Sequence, residues 1–246
     1  MKLGMDFLYD VTEEDFEILA EIIRNQGGVN CSLKTRNKYG NKHKYVDAVI
    51  DELLKYGSYT FWFKKPYVAV LTDVCENLDV KYDNNDEMGI ALLGKVFGRI
   101  YDDLSHEKKN EIINAIFSDD NERRKYYGDG SSFSFENVFK MGDNKILYIL
   151  TMIMVNGIAK AILGRGLSLA SGMIFTRALS LFSGPLAAII GAWTIKELTG
   201  PAYRVTIPAV VYIESMRIIK DVREMGINPS MEKPNDNEKN DGVIYL

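Results

Sequence analysis

The chain has 246 residues, 46% of them hydrophobic and 26% charged, which is enough for one large domain or two small ones with real cores and excludes general disorder. Its formal net charge of −4 hides a division: residues 144 to 220 hold eight Lys/Arg against two Glu, or +6, which leaves −10 for the remainder. A basic apolar region beside an acidic one suits contact with anionic lipid or an internal match of opposite charges, and it is too sparse in Lys/Arg for nucleic-acid binding.

At the N-terminus, Asp6 and Asp10 interrupt MKLGMDFLYD where a signal peptide needs an unbroken apolar run, so no secretory signal is expected. Thr12 is placed as an N-cap, with Glu13, Glu14 and Asp15 in the first turn complementing the helix dipole and Val11 positioned to staple against Phe16. Phe16, Leu19, Ala20 and Ile23 then mark one buried stripe, and Gly27-Gly28 ends the helix. Cys31 to Lys44 is basic and polar and reads as a loop. Helical patterns return at about 42–56, 65–79, 87–102 and 106–117, the last capped by Ser105, with the short aromatic run Tyr59 to Phe63 as the one strand-like interruption.

The stretch from Ser118 to Ser132 is polar, charged and glycine-bearing and reads as a linker between two helical layers. Three apolar segments follow, about 145–163, 167–182 and 185–199, then one from about 203 to 224 that contains Pro208. The expected fold class is all-α. Its expected organisation is an acidic helical region at 1–117, a polar linker at 118–132, a basic apolar helical-hairpin region at 133–228 and a disordered tail at 229–246.

No acidic residue lies between Asp143 and Glu197, and small residues recur at every fourth position: Gly164, Ser168, Gly172, Thr176, Ser180, Gly184, Ala188 and Ala192. A four-residue spacing drifts about 40° per step on an α-helix, so this ridge cannot stay on one face. Pro185 is its natural break, giving two shorter ridges suited to meeting in a tight helical hairpin. The charge-free window from Ala178 to Ile195 has eighteen residues, just under the roughly 20 that span a bilayer. Lys160 and Arg165 stand where they can snorkel to an interface, Arg177 less so, and together with Trp193 and Lys196 they are the candidate membrane or partner contacts. A hairpin buried in protein and one in contact with lipid are both consistent with this pattern.

Motifs for chemistry are incomplete. Gly166-Leu-Ser-Leu-Ala170 lacks the strand and the His partner of a nucleophile elbow, and Gly164-Arg-Gly166 lacks the context of a dinucleotide loop. Asp83, Asn85 and Glu87 echo a calcium loop, but Met88 and Gly94 replace its required glycine and glutamate. His43 and His106 read as surface residues. Cys31 and Cys75 stand apart without zinc-site or disulfide-framework spacing, so a reducing cytoplasm is expected, with inner-membrane association as the extension of that reading. No catalytic, cofactor-binding or metal-ligating set is proposed from the sequence.

The segment from Gly200 to Val210, Gly-Pro-Ala-Tyr-Arg-Val-Thr-Ile-Pro-Ala-Val, resembles the C-terminal signature of the bacterial YaaW-like family, which is grouped with the ubiquinol-cytochrome c chaperone superfamily. Asp6-Phe-Leu with Thr12-Glu-Glu resembles that family's N-terminal module, and Leu71-Thr-Asp-Val with Leu104-Ser-His-Glu resembles its central helices. The similarity is strongest at Tyr203, Arg204, Thr206 and Pro208. It implies an all-helical protein and transfers no catalytic residue. Pro208 either kinks a helix begun near Tyr203 or opens a new one, and Tyr203 and Arg204 are placed to anchor the hairpin to the acidic layer.

Together these features point to a non-enzymatic helical protein with a membrane-associated assembly or chaperone-like binding role. The alternatives are a membrane-disrupting effector held inactive by its N-terminal helices, and an enzyme of unidentified reaction. The expected partners are an anionic membrane surface or another protein.

Overall fold

Where the sequence places a cap, the chain turns helical. The computed structural model describes residues 4–58, 64–117, 120–126, 133–141, 143–165 and 202–226. Helix α1 spans Glu13–Gly27, and Thr12 Oγ1 accepts from the Asp15 N–H at 3.2 Å while donating to Asp15 Oδ2 at 2.8 Å. Phe16, Leu19, Ala20 and Ile23 are buried as expected. Ile18 and Ile22 join them, so α1 is buried on more than one face.

Helix α2 spans Lys42–Tyr56, the range expected, and Asn41 Oδ1 caps it by accepting from the Lys44 N–H at 2.9 Å. Helix α3, Tyr67–Asn77, is shorter than the pattern suggested because Pro66 occupies its N-cap and Asp79 turns left-handed at φ 53° just beyond its end. Helices α4, Met88–Asp102, and α5, His106–Ile116, lie within a residue of expectation. Ser105 stands at the N-cap of α5, but its side chain makes no capping hydrogen bond, so the expected cap is positional only.

The polar stretch 118–132 holds a short helix, α6, at Asp120–Arg124. Tyr126 is buried in it, with its ring 5.4 Å from that of Phe117. Next comes a helix the sequence reading did not contain: α7, Phe135–Met141, buries Phe135, Val138 and Phe139 against α4. Its seven residues give one i, i+3, i+4 triplet, too little periodicity to stand out. The Phe97 and Phe135 rings meet with centroids 4.5 Å apart.

Helix α8, Asn144–Leu163, starts at Asp143, whose carboxylate accepts from the Lys145 and Ile146 N–H groups. By length and composition it could cross a bilayer. Every residue from Ile146 to Ala159 is nonetheless buried within the protein, as in a helix that is apolar all round because other helices surround it. Helix α9 spans Tyr203–Glu224 without interruption. Pro208 is the sixth residue of that helix and does not open a new one, which decides between the two alternatives. Against α9 pack α8, α1, α4, α2 and α3.

Among the described residues the secondary structure is helical with no strand, and the fold is all-α. One hydrophobic cluster runs from Met5 to Val222, so helices on both sides of residues 118–132 contribute to the same core. At about 1.5 to 3 kcal/mol for each fully buried large aliphatic side chain, this shared burial is the main stabilising term. The small positions Ser168, Gly172, Thr176, Ser180, Gly184, Ala188 and Ala192, the break at Pro185, the contacts expected of Arg177, Trp193 and Lys196, the aromatic run 59–63 and the tail from 229 all lie outside the described residues.

Candidate functional site

Two places concentrate polar chemistry in this apolar frame: the residues that flank segment 166–201, and a charged cluster inside the core.

The chain leaves α8 at Gly164, whose φ of +70° is the left-handed cap that glycine adopts without strain, and whose N–H donates to the Lys160 carbonyl at 3.0 Å. A Cβ there would meet nothing within 4 Å among the described residues. Gly164 is therefore a helix terminator, and the other seven positions of the ridge expected to include it lie outside the described residues. Arg165 follows and pairs with Glu21 on α1. Lys160, one turn earlier, is exposed. Arg165 is thus engaged by a carboxylate of the N-terminal region, as an internal match of opposite charges requires.

The return is held on the same side of the fold. The Ala202 N–H donates to the Tyr56 carbonyl at 3.0 Å, and Arg204 Nε donates to the Gln26 carbonyl at 2.8 Å. Gln26 lies in the last turn of α1 and Tyr56 is the last residue of α2. Ala202 O then accepts from the Val205 and Thr206 N–H groups at 2.8 and 3.0 Å, and the buried Thr206 hydroxyl donates to it at 3.3 Å. The Tyr203 to Pro208 motif thus builds the first turns of α9, and Arg204 ties them to α1. The residues on both sides of segment 166–201 are thus tied to α1 or its neighbour α2.

Inside the core, Glu214 of α9 is buried at 5% exposure, which a carboxylate tolerates only when fully partnered. Tyr67 Oη donates to its Oε1 at 2.5 Å, and Arg217 Nε donates to its Oε2 at 3.2 Å. Burial first, and then the Glu214 charge, hold the Tyr67 phenol well above its usual range. Arg217 also donates to the Gly4 carbonyl and lies 4.6 Å from the centre of the Phe7 ring. The cluster therefore joins α9, α3 and the N-terminal turn. With its acceptors occupied by Tyr67 and Arg217, Glu214 works as a clamp. The sequence reading missed it; the available signal was a lone acid inside the apolar run Ile207 to Ile219.

A carboxylate stripe completes the charge map. Glu13, Glu17 and Glu21 recur at four-residue spacing on α1, and pair with Arg36, Arg24 and Arg165 respectively. Tyr45 Oη donates to Glu17 Oε2 at 2.7 Å and accepts from Arg24 at 2.9 Å. His43 is exposed beside the Tyr9 ring, and His106 is exposed beside Asn110. Asp83 pairs with Lys140 at 3.2 Å, while Asn84 Oδ1 accepts from the Asp86 and Glu87 N–H groups, the geometry of an interhelical turn. That turn and α7 border a groove of about 720 Å³ that includes Asp79, Tyr82, Glu87 and Glu136. Among the described residues no group of three or more His, Cys, Asp or Glu is arranged to hold a metal.

These features define an all-helical protein in which the residues flanking segment 166–201 are tied to α1 and α2. Its sequence is 33% identical over 233 residues to a UPF0174 protein of Helicobacter pylori strain J99, covering 87% of this chain and 90% of that relative. The chain belongs to the UPF0174 family. A second UPF0174 protein of the same strain is 28% identical over 76% of this chain and 94% of its own length. The UPF0174 protein YaaW of Escherichia coli K12 is 27% identical over 72% of this chain and 67% of its own length, in agreement with the YaaW-like resemblance. No protein-family model matches the chain, and no solved structure does.

Proposed function

We propose that this protein is a non-enzymatic helical scaffold that holds its acid-free apolar segment for membrane-associated assembly or chaperone-like binding. The observation that carries the reading is the two-point attachment of segment 166–201. Arg165 meets Glu21 at its start, and Ala202 and Arg204 meet Tyr56 and Gln26 at its end. An acidic N-terminal region that grips a cation-bearing apolar segment at both ends is suited to presenting it to a partner. The partner chemistry that matches is an anionic bilayer or an apolar protein surface.

Flotation of the full chain with vesicles containing phosphatidylserine, together with carbonate extraction of the native protein from cell membranes, tests the membrane part. Co-flotation and resistance to carbonate are expected. A monodisperse protein that needs no detergent and stays with the soluble fraction in both assays would overturn it.

A further inference from the structure

The connection between α1 and α2 carries a second run without acids. From Ile22 to Val46 the chain has no Asp or Glu and six cations: Arg24, Lys34, Arg36, Lys38, Lys42 and Lys44. Its backbone is held in place. Leu33 is buried, the Ser32 N–H donates to Glu52 Oε1 at 2.8 Å, and the Lys34 N–H donates to Tyr39 Oη at 2.9 Å.

The path of this connection follows from its contacts. Gly28 directly succeeds the end of α1, whereas Lys42 Nζ reaches the Val11 carbonyl at 2.8 Å and Arg36 pairs with Glu13, both at the start of α1. The connection thus runs back along a helix of 15 residues, about 22 Å at 1.5 Å per residue. Arg36 and Lys42 are spent on holding it. Lys34, Lys38 and Lys44 stand exposed along its length, and Val29, at 102% exposure, stands at its beginning.

Val29 lies at the end of α1 to which Arg204, at the start of α9, is tied. Gln26, three residues before it, accepts from Arg204. A merely solvated charge run has no use for a fully exposed aliphatic side chain at its head. An interfacial strip does, since the apolar group enters the boundary layer while lysines meet the headgroups. Cations spread along a helix length, on a chain that also carries a long apolar segment, fit a flat anionic surface better than a grooved polyanion.

We propose that residues 29–44 form a docking strip for an anionic lipid bilayer, with Lys34, Lys38 and Lys44 at the headgroups and Val29 in the interface. The inference rests on the membrane-associated reading above and names which surface of the folded part faces the lipid.

The test is flotation of the full chain with phosphatidylcholine vesicles, with and without phosphatidylserine. The variant K34Q/K38Q/K44Q is expected to bind the anionic vesicles at least about tenfold more weakly than the parent, and K34R/K38R/K44R to bind like the parent. Circular dichroism melting of each variant reports folding. Because a triple change can disturb folding, the parent is also followed against salt, where a steep fall in anionic-vesicle binding is expected and salt-insensitive flotation overturns the strip. Equal binding by the folded glutamine variant and the parent overturns the strip and leaves the membrane reading intact. A parent that floats with neither vesicle overturns both, and one that binds RNA homopolymer but no vesicle makes the strip a polyanion site and overturns the proposal.

Discussion

Gly89 on α4 faces the Glu214 carboxylate on α9 so closely that a Cβ at position 89 would overlap Oε2 and come within 3.0 Å of Cδ. Helix interiors normally favour alanine over glycine by about 1 kcal/mol. Here the preference reverses, because Tyr67 and Arg217 hold Glu214 in place and it can yield only by losing buried hydrogen bonds. Gly89→Ala is expected to destabilise the protein by about 1 to 3 kcal/mol, read from the midpoint of urea unfolding. A neutral or stabilising outcome would show that Glu214 moves aside without loss.

The Tyr67 to Glu214 bond makes a separate prediction. Tyr67→Phe removes a donor from a buried carboxylate and is expected to cost about 1.5 to 3 kcal/mol. Glu214→Gln removes the charge that pairs with Arg217, but Arg217 is partly exposed and also feels Asp221, so the expected cost is about 1 to 3 kcal/mol. In a double-mutant cycle by urea unfolding, the two changes together are expected to cost less than their sum. Strict additivity would contradict a shared hydrogen bond.

Asp15 supplies the pH prediction. Its carboxyl is raised above the ordinary carboxylate range chiefly by burial, against the Thr12 hydrogen bond and the Arg223 charge that lower it, with Glu14 raising it further. Its Oδ1 has no hydrogen-bond partner among the described residues, and the residue is 1% exposed. A carboxyl with a raised folded-state value binds its proton more tightly when folded. Its contribution is therefore fully favourable below the unfolded value near 3.8 and is lost as pH rises through the folded value. The stability difference between parent and Asp15→Asn is expected to shift in favour of the asparagine variant as pH goes from about 4 to 7, followed by thermal melting at each pH. A pH-independent difference would contradict a buried ionising Asp15.

Thiol labelling checks the core directly. Burial foremost, and then the Glu214 charge, push Cys75 up to about 12. Cys31 is half-exposed, and burial raises it as well. Native protein at pH 8 is expected to take up reagent at Cys31 alone, and denatured protein at both. Rapid native labelling of Cys75 would mean that the α3–α9 packing opens readily.

The ion pair at the base of segment 166–201 is partly exposed, so its energetic weight is small. Arg165→Ala is expected to change global stability by no more than about 1 kcal/mol and to matter less at high salt. Thr12→Ala, which removes the cap of α1, is expected to cost about 0.5 to 2 kcal/mol by the same urea assay. An Arg165 effect larger than the Thr12 effect would reverse this ranking.

Local signals carried most of the helix boundaries. Thr12, Asn41 and the apolar spacing of α1 and α2 act within a few residues, so they are legible in sequence order. Other features depend on partners far along the chain. Tyr67 and Glu214 are 147 positions apart, and no local pattern announces their bond. The burial of α8 follows from helices wrapped around it, while its composition alone also fits a bilayer span. Gly164 ends α8 with a left-handed backbone, a role that its place in the four-residue spacing did not announce. At Pro208 α9 continues as one helix packed on α8 and α1, where the proline alone also allowed a new helix to begin.

The residues that flank segment 166–201 are continuous with α8 and α9 and are also tied sideways: Arg165 to Glu21 of α1, Ala202 to the Tyr56 carbonyl and Arg204 to the Gln26 carbonyl. A load on either flank is therefore shared between the backbone of its own helix and a neighbouring one, and salt, which weakens the partly exposed ion pair, loosens the α8 flank more than the hydrogen-bonded start of α9.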